Sequence, residues 1–237
     1  MIRVVIAGAG RMGQAIAASL KAHDDMQLVG IWSRGDDLDA LVSQADVVID
    51  FSLPEGTIEV LDAVLTHRKP LVCGVSGLDD EQMARVEEAA ISVPLLYDRN
   101  MSLGVAVLAR SVQEAAASLG KAFDVEISEV HHVHKKDAPS GTALKLGEVV
   151  AAARGEDGTG SIEFRSERRG EVPGDHEVVL RSPTERLVFT HSVTTRQVFA
   201  DGAVRAARWL VGQPPGGAFG RGTRAADGER RGGRCAG

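Results

Sequence analysis

The chain has 237 residues, 43% of them hydrophobic and 25% charged, with a formal net charge of −6. That length suits one large domain or two small ones with real cores, and the acidic balance excludes a surface built to hold nucleic acid by its phosphates. With only Cys73 and Cys235, a disulfide framework or four-thiolate metal site is excluded, and no apolar run reaches the roughly 18 residues of a membrane helix.

The opening Met-Ile-Arg-Val-Val-Ile runs straight into a glycine turn, so it reads as a strand rather than a signal peptide, and a cytoplasmic location is expected. A strand is predicted over Arg3–Ala7, then the turn Gly8-Ala9-Gly10-Arg11-Met12-Gly13, then an alanine-rich helix from Gln14 to about Ala22. Met26–Trp32 is a second strand. Helices at Leu38–Gln44, Thr57–Thr66 and Asp80–Ala90 then alternate with strands at Val47–Phe51, Leu71–Val75 and Pro94–Tyr97. Strands separated by helices of this length predict a parallel sheet with crossover connections. The unbroken apolar runs Val47–Ile49 and Leu71–Val75 predict strands buried on both faces. The expected fold class is therefore α/β, with a Rossmann-like, doubly wound dinucleotide-binding domain over residues 1–101.

Near residue 101 the pattern changes. A helix over Gly104–Leu119 is followed by a strand at Ala122–Glu129, a helix at Thr142–Ala153, and strands at Ser161–Arg168, Glu177–Arg181 and Arg186–Val193. Strands in series with few helices predict a second, α+β domain with an open mixed sheet over residues 102–199. A helix at Ala203–Val211 then rejoins the first domain within residues 200–215. From Gly216 to Gly237 the chain is rich in Gly and Arg without periodicity, and is expected to be disordered.

The turn at residues 8–13 fits the dinucleotide fingerprint in its required context, after a strand and opening a helix. Gly8 permits the tight turn, Gly10 lets backbone approach a pyrophosphate, and Gly13 allows close helix–strand packing. An NADH site would place an acid on the ribose hydroxyls about 20 residues further on. Ser33-Arg34 stands there instead, and a hydroxyl with a guanidinium suits a 2′-phosphate. This favours NADPH. NADH stays open, because Asp36 and Asp37 follow closely and Arg34 reads equally well as a solvated loop residue. Asp50-Phe-Ser-Leu-Pro-Glu55, Cys73-Gly74-Val75-Ser76-Gly77 and Asp98-Arg99-Asn100-Met101 fall at carboxyl ends of predicted parallel strands, where open α/β sheets bind ligands. Cys73 itself reads as a buried strand residue rather than a nucleophile.

The densest chemistry lies in Glu129-Val-His-His-Val-His-Lys-Lys-Asp-Ala-Pro-Ser-Gly-Thr-Ala143. Three imidazoles and two ammoniums precede a Pro-Ser-Gly-Thr turn that opens a helix. Imidazole is matched to proton transfer near neutral pH, and a helix start offers free N–H groups to a carboxylate. If residues 127–135 are extended, His131, Val133 and Lys135 face one side and His132 and His134 the other. Adjacent histidines seldom converge on one ion, so no metal is expected. A pocket that holds a small dianion and gives it a proton is.

This segment closely resembles the motif of the 4-hydroxy-tetrahydrodipicolinate reductase (dihydrodipicolinate reductase) family. Gly10-Arg-Met-Gly13, Asp50-Phe-Ser-Leu-Pro-Glu55, Gly74-Val-Ser-Gly77, Asn100-Met-Ser-Leu-Gly104 and Phe199-Ala-Asp-Gly-Ala-Val-Arg-Ala-Ala-Arg-Trp-Leu210 extend the resemblance from residue 1 to about 215. It implies reduction of a cyclic dicarboxylate by NADPH or NADH in lysine and diaminopimelate biosynthesis. His131 would be the proton donor and Lys135 the second catalytic cation. His132, Gly141 and Thr142 would bind the substrate carboxylates, with Ser140 beside them. Gly8, Ala9, Gly10, Arg11, Met12, Gly13, Ser33, Arg34, Gly74, Val75, Ser76, Asp98, Arg99, Asn100 and Met101 would line the cofactor. A homotetramer built through the second sheet is also implied. The sequence departs from the family in a glycine loop one residue shorter, in Ser33 where an acid often stands, in a short stretch between Arg34 and Ala45, and in an unrelated end after Gly216. Two rivals stay open on the residues alone: another nicotinamide dehydrogenase, and a nucleotide-binding redox sensor that catalyses nothing.

Overall fold

The computed structural model describes residues 1–219. In its first half, strands β1 (Ile2–Ala7), β2 (Met26–Trp32), β3 (Val47–Asp50), β4 (Leu71–Cys73) and β5 (Pro94–Tyr97) alternate with helices α1 (Arg11–Leu20), α2 (Leu38–Gln44), α3 (Pro54–His67) and α4 (Asp80–Ser92). The second half contains α5 (Leu103–Leu119), β6 (Asp124–His131), α6 (Gly141–Ala153), β7 (Ile162–Arg168), β8 (Asp175–Arg181), β9 (Arg186–Ser192), α7 (Gln197–Leu210) and β10 (Gly216–Phe219).

The first sheet runs β10-β5-β4-β3-β1-β2, all parallel. From β1 the chain steps outward to β2 and then reverses across β1 to β3. Such a reversal opens a crevice at the carboxyl ends of the strands. Burial on both faces explains the unbroken apolar runs. Val5, Ala7, Val48, Leu71 and Cys73 point into a core closed by α2, α3 and α4. Their neighbours Val4, Ile6, Val47, Ile49 and Val72 point into an opposite core closed by α1 and α7. Each fully buried Val or Ile there contributes about 1.5–3 kcal/mol. No helix among the described residues is long and apolar enough to cross a membrane.

The second sheet runs β7-β6-β8-β9, with β6 and β7 parallel and the other pairs antiparallel. Helices α5 and α6 close one face, with Leu146 and Val150 of α6 packed over Ile127, Val178 and Leu180 of the sheet. The other face stays open, with Val188 among its exposed apolar residues.

Three expectations need correction. Helix α1 starts at Arg11 rather than Gln14, so Arg11, Met12 and Gly13 belong to its first turn. Helix α7 starts at Gln197 rather than Ala203. Gly202 argues against a helix interior by propensity, but a Cβ there would lie 1.7 Å from the Met101 carbonyl oxygen, so only glycine lets the helix pass that close. Residues 216–219, expected to begin a disordered tail, instead form β10, which pairs with Pro94–Tyr97 of β5. The rest of that expected tail, 220–237, lies outside the described residues.

Candidate active site

Strand β6 alternates, and its inward positions are Val125, Ile127, Glu129 and His131. The apolar half of that face packs on α5 and α6, while the polar half sits where the strand ends. Glu129 is 2% exposed and His131 8%. The His131 Nδ1 donates to Glu129 Oε2 at 2.5 Å. Arg168 grips the same carboxylate with two parallel bonds, Nη1 to Oε2 at 2.9 Å and Nη2 to Oε1 at 3.0 Å. The Ser140 backbone N–H adds a fourth, at 3.2 Å. Arg168 is placed by strand pairing, since it stands opposite His131 in the β6–β7 register. Burial alone would push the Glu129 carboxyl up, but the bonds from Arg168 and His131 outweigh it and hold it below its ordinary value.

On the other side of β6, His176 of β8 meets the His131 ring edge-on, with centroids 5.2 Å apart. Its Nε2 shares a hydrogen bond of 3.2 Å with the Ser140 hydroxyl. Burial pushes His176 down to about 4, with the neighbouring His131 acting in the same direction, so it is neutral at physiological pH. Ser140 also caps α6, accepting from the Ala143 N–H at 3.2 Å. The candidate proton donor and the helix start are thus tied to the same buried cluster.

After His131 the chain turns, with the Lys135 N–H bonded to the His132 carbonyl at 3.1 Å. The expected strand-like alternation through residue 135 therefore fails. Its outcome differs too: His131, His132, His134 and Lys135 all line one cavity of about 690 Å³, joined by Arg11 and Arg196. Arg168 pins this turn from below, through the carbonyls of Lys135 and Asp137. Lys135 is paired with Asp137 at 2.8 Å. Burial, together with the positive charge of Arg196, pushes His132 below its usual range. Among the described residues no group of His, Cys, Asp and Glu stands in metal-holding geometry.

Ser140, Gly141 and Thr142 are not walls of that cavity. Ser140 is the cap turned into the Glu129–His176 cluster, while Gly141 and Thr142 open α6 near residues 99–100, where Asn100 Nδ2 donates to Thr142 Oγ1 at 3.0 Å. Lys145 and Asp98 make an ion pair of 2.5 Å beside it. Asn100 is oriented by its own Oδ1, which accepts the Ser102 N–H at 3.0 Å.

The residues expected at a cofactor collect along the carboxyl edge of the first sheet. Gly8 has φ +103°, and a Cβ on it would lie 2.6 Å from the Phe51 carbonyl oxygen. A Cβ on Gly13 would lie 1.9 Å from the Gly8 oxygen, whereas one on Gly10 would meet nothing within 4 Å. No side chain caps α1 at Gly10. Open space over a glycine beside an uncapped helix start fits a pyrophosphate. Gly74 leaves room for the Phe51 ring, 2.2 Å from where its Cβ would be, and Val75 and Ser76 continue that edge. Asp36 accepts the Ser33 N–H at 2.9 Å and Asp37 caps α2. Both acids near Arg34 are thereby engaged with backbone, and among the described residues Arg34 has no ion partner. Ala9 and Met12 complete the turn, with Met12 packed on the core. Arg99 lies near Gly141, while the Met101 side chain is buried against α7. Cys73 is buried, and burial together with Asp50 pushes its thiol far above the usual range, so it is no nucleophile.

Sequence reasoning had no role for Glu129, Arg168, His176 or Arg196. Glu129 was discoverable, because a residue two before His131 on a strand shares its face. Arg168 and His176 were not, since their approach depends on strand register.

Comparison with known proteins follows the same division of the chain. Residues 2–101 match the family model for dihydrodipicolinate reductase, N-terminus, and residues 104–221 that for its C-terminus. The match through 221 also corrects the expectation that kinship stops at Gly216. The 4-hydroxy-tetrahydrodipicolinate reductase of Zymomonas mobilis is 41% identical over 234 residues, covering 90% of this chain and 92% of that protein. That of Syntrophotalea carbinolica is 38% identical over 256 residues, covering 91% and 96%. A dipicolinate-bound dihydrodipicolinate reductase from Paenisporosarcina sp. TG-14 shares the fold, with TM-score 0.77 and 24% identity over 92% of this chain and 97% of that one. Two consecutive family models spanning both domains, and relatives alike along nearly their whole length, place the chain in the dihydrodipicolinate reductase family.

Proposed function

We propose that the chain reduces 4-hydroxy-tetrahydrodipicolinate to tetrahydrodipicolinate in lysine and diaminopimelate biosynthesis, with NADPH preferred over NADH and with His131 as the proton donor. One observation carries this reading: Arg11 of the glycine turn and the His131, His132 and Lys135 group of the second domain line a common cavity. A nicotinamide held on the Gly8–Gly13 side of this cavity would supply hydride chemistry at C4 of the conjugated ring formed when water leaves the 4-hydroxy position. The negative charge then falls at the far end of the conjugated system, where the His131 imidazolium gives it a proton. Lys135, Arg196 and His132 bring positive charge and N–H donors to the carboxylates from the cavity wall, and the first turn of α6, outside that wall, offers Gly141 and Thr142 to a carboxylate that extends beyond it. The Gly8–Gly13 turn holds the pyrophosphate. Gly74–Ser76 and Asp98–Asn100 line the remainder of the cofactor groove, and Ser33 and Arg34 meet a 2′-phosphate; Met101, turned into the core against α7, is not counted among them.

The assay is the loss of reduced-nicotinamide absorbance with freshly generated substrate. Turnover is expected with both cofactors and faster with NADPH, and Arg34→Ala is expected to lower the NADPH preference by about tenfold, the worth of one charge-assisted contact. No oxidation with either cofactor would overturn the reading. The open face of the second sheet serves as the assembly surface of a cytoplasmic homotetramer, and sedimentation at the mass of a single chain would contradict that.

A further inference from the structure

The geometry points to Glu129 as the positioning residue that fixes which nitrogen of His131 gives up its proton, with Arg168 limiting how strongly it holds that proton. This rests on the reading of His131 as donor and adds the groups that set its behaviour.

A buried carboxylate is costly unless it is paired and hydrogen-bonded. Glu129 has four donors: His131 Nδ1, both Arg168 Nη atoms and the Ser140 N–H. It is therefore an anion, and an anion on Nδ1 keeps a proton there in either charge state of the ring. Only Nε2 is left to exchange. In the chemical step the Nε2–H bond breaks and its electron pair stays on nitrogen, while a C–H bond forms on the substrate carbon. The product is a neutral ring still bonded through Nδ1–H, with Glu129 ionised throughout. Water later returns the proton to Nε2. No ring flip is needed at any stage.

Arg168 gives the second half of the argument. A lone carboxylate at 2.5 Å would hold the imidazolium proton hard, which suits a base better than an acid. The bidentate guanidinium shares that negative charge and weakens its pull. Other titratable and charged groups surround His131: neutral His176 from β8, and, on the walls of the shared cavity, His132, His134 and Lys135 from the turn, Arg11 from α1 and Arg196 at the start of α7. Among the described residues, Glu171 is the one acid on the cavity wall.

The test uses the full chain and opposite signs. Glu129→Gln removes the anion, so the imidazolium is less favoured and the basic limb of the kcat profile moves to lower pH by about one unit. Turnover near pH 8 falls by about 10²-fold, within the range for disabling a general acid. Arg168→Gln leaves the anion unshared, so the same limb moves to higher pH. Titration of NADPH by fluorescence is expected to give unchanged affinity in both variants. Nitrogen-15 NMR of His131 without ligands reports the Nδ1-protonated tautomer in the native chain and its loss in Glu129→Gln. Shifts of the same sign in both variants, or an Nε2-protonated ring in the native chain, would overturn the assignment. If Glu129→Gln does not fold, the direction of the Arg168→Gln shift and the native tautomer decide. Because the NMR readout needs no turnover, it remains decisive even if His131 proves not to be the donor.

Discussion

His131→Ala lowers turnover by about 10²–10⁴-fold, the usual worth of a positioned general acid, while NADPH binds as before. The size of the effect follows from the neighbours. His176 cannot stand in, because burial keeps it neutral and its Nε2 is engaged with the Ser140 hydroxyl. His132 is pushed the same way by burial and by Arg196, so fewer of its rings carry the proton to be given. Lys135 is paired with Asp137. What remains is water, and a rate that no longer follows an imidazole titration. Affinity for NADPH is spared because the groups expected to hold it sit on the first sheet, with only Arg11 reaching the shared cavity. Comparing kcat with the dissociation constant from fluorescence checks both halves. Unchanged turnover would remove His131 from the mechanism.

The second large effect is on stability. Gly202→Ala lowers stability by about 1–3 kcal/mol through overpacking, a loss of several degrees in Tm for a chain of this size. The added methyl would stand 1.7 Å from a backbone oxygen, that of Met101, rather than against a side chain that can swing away. Either α7 lifts from the crossover between domains or the crossover moves. Since α7 also closes one core of the first sheet through Ala203, Val204, Ala207 and Leu210, lifting it uncovers buried apolar surface. Turnover should fall along with Tm, because Met101 adjoins Asn100. A melting temperature equal to that of the native chain would show that the contact is soft.

Much of this is legible in the amino-acid sequence. The strands of the first sheet announce themselves because both faces are buried, so apolar residues run without interruption. The Glu129–Ala143 segment carries chemistry too dense for a solvated surface, and Gly8 and Gly13 of the glycine turn are required by contacts a Cβ would violate. Other features depend on neighbours far along the chain. Glycine lowers helix propensity at 202, yet packing against Met101 selects it. Gly216 and Gly217 have no side chains to alternate, so β10 exists only through its pairing with β5. The turn after His131 is held by Arg168, which the 132–135 sequence cannot reveal. Arg168 itself acquires meaning only from β6–β7 register, 39 residues from the carboxylate it holds.

The bond from Asn100 to Thr142 has one more implication. A hydroxyl owns a single hydrogen and two lone pairs. With the amide of Asn100 occupying a lone pair, Thr142 keeps its hydrogen for some other acceptor and is turned by its neighbour to present it. On the proposed function, an acid group arriving at α6 would meet a hydroxyl already held by Asn100. Without the Asn100 amide that hydroxyl would be free to rotate, so a residue of one half of the chain sets the direction of a donor on the other.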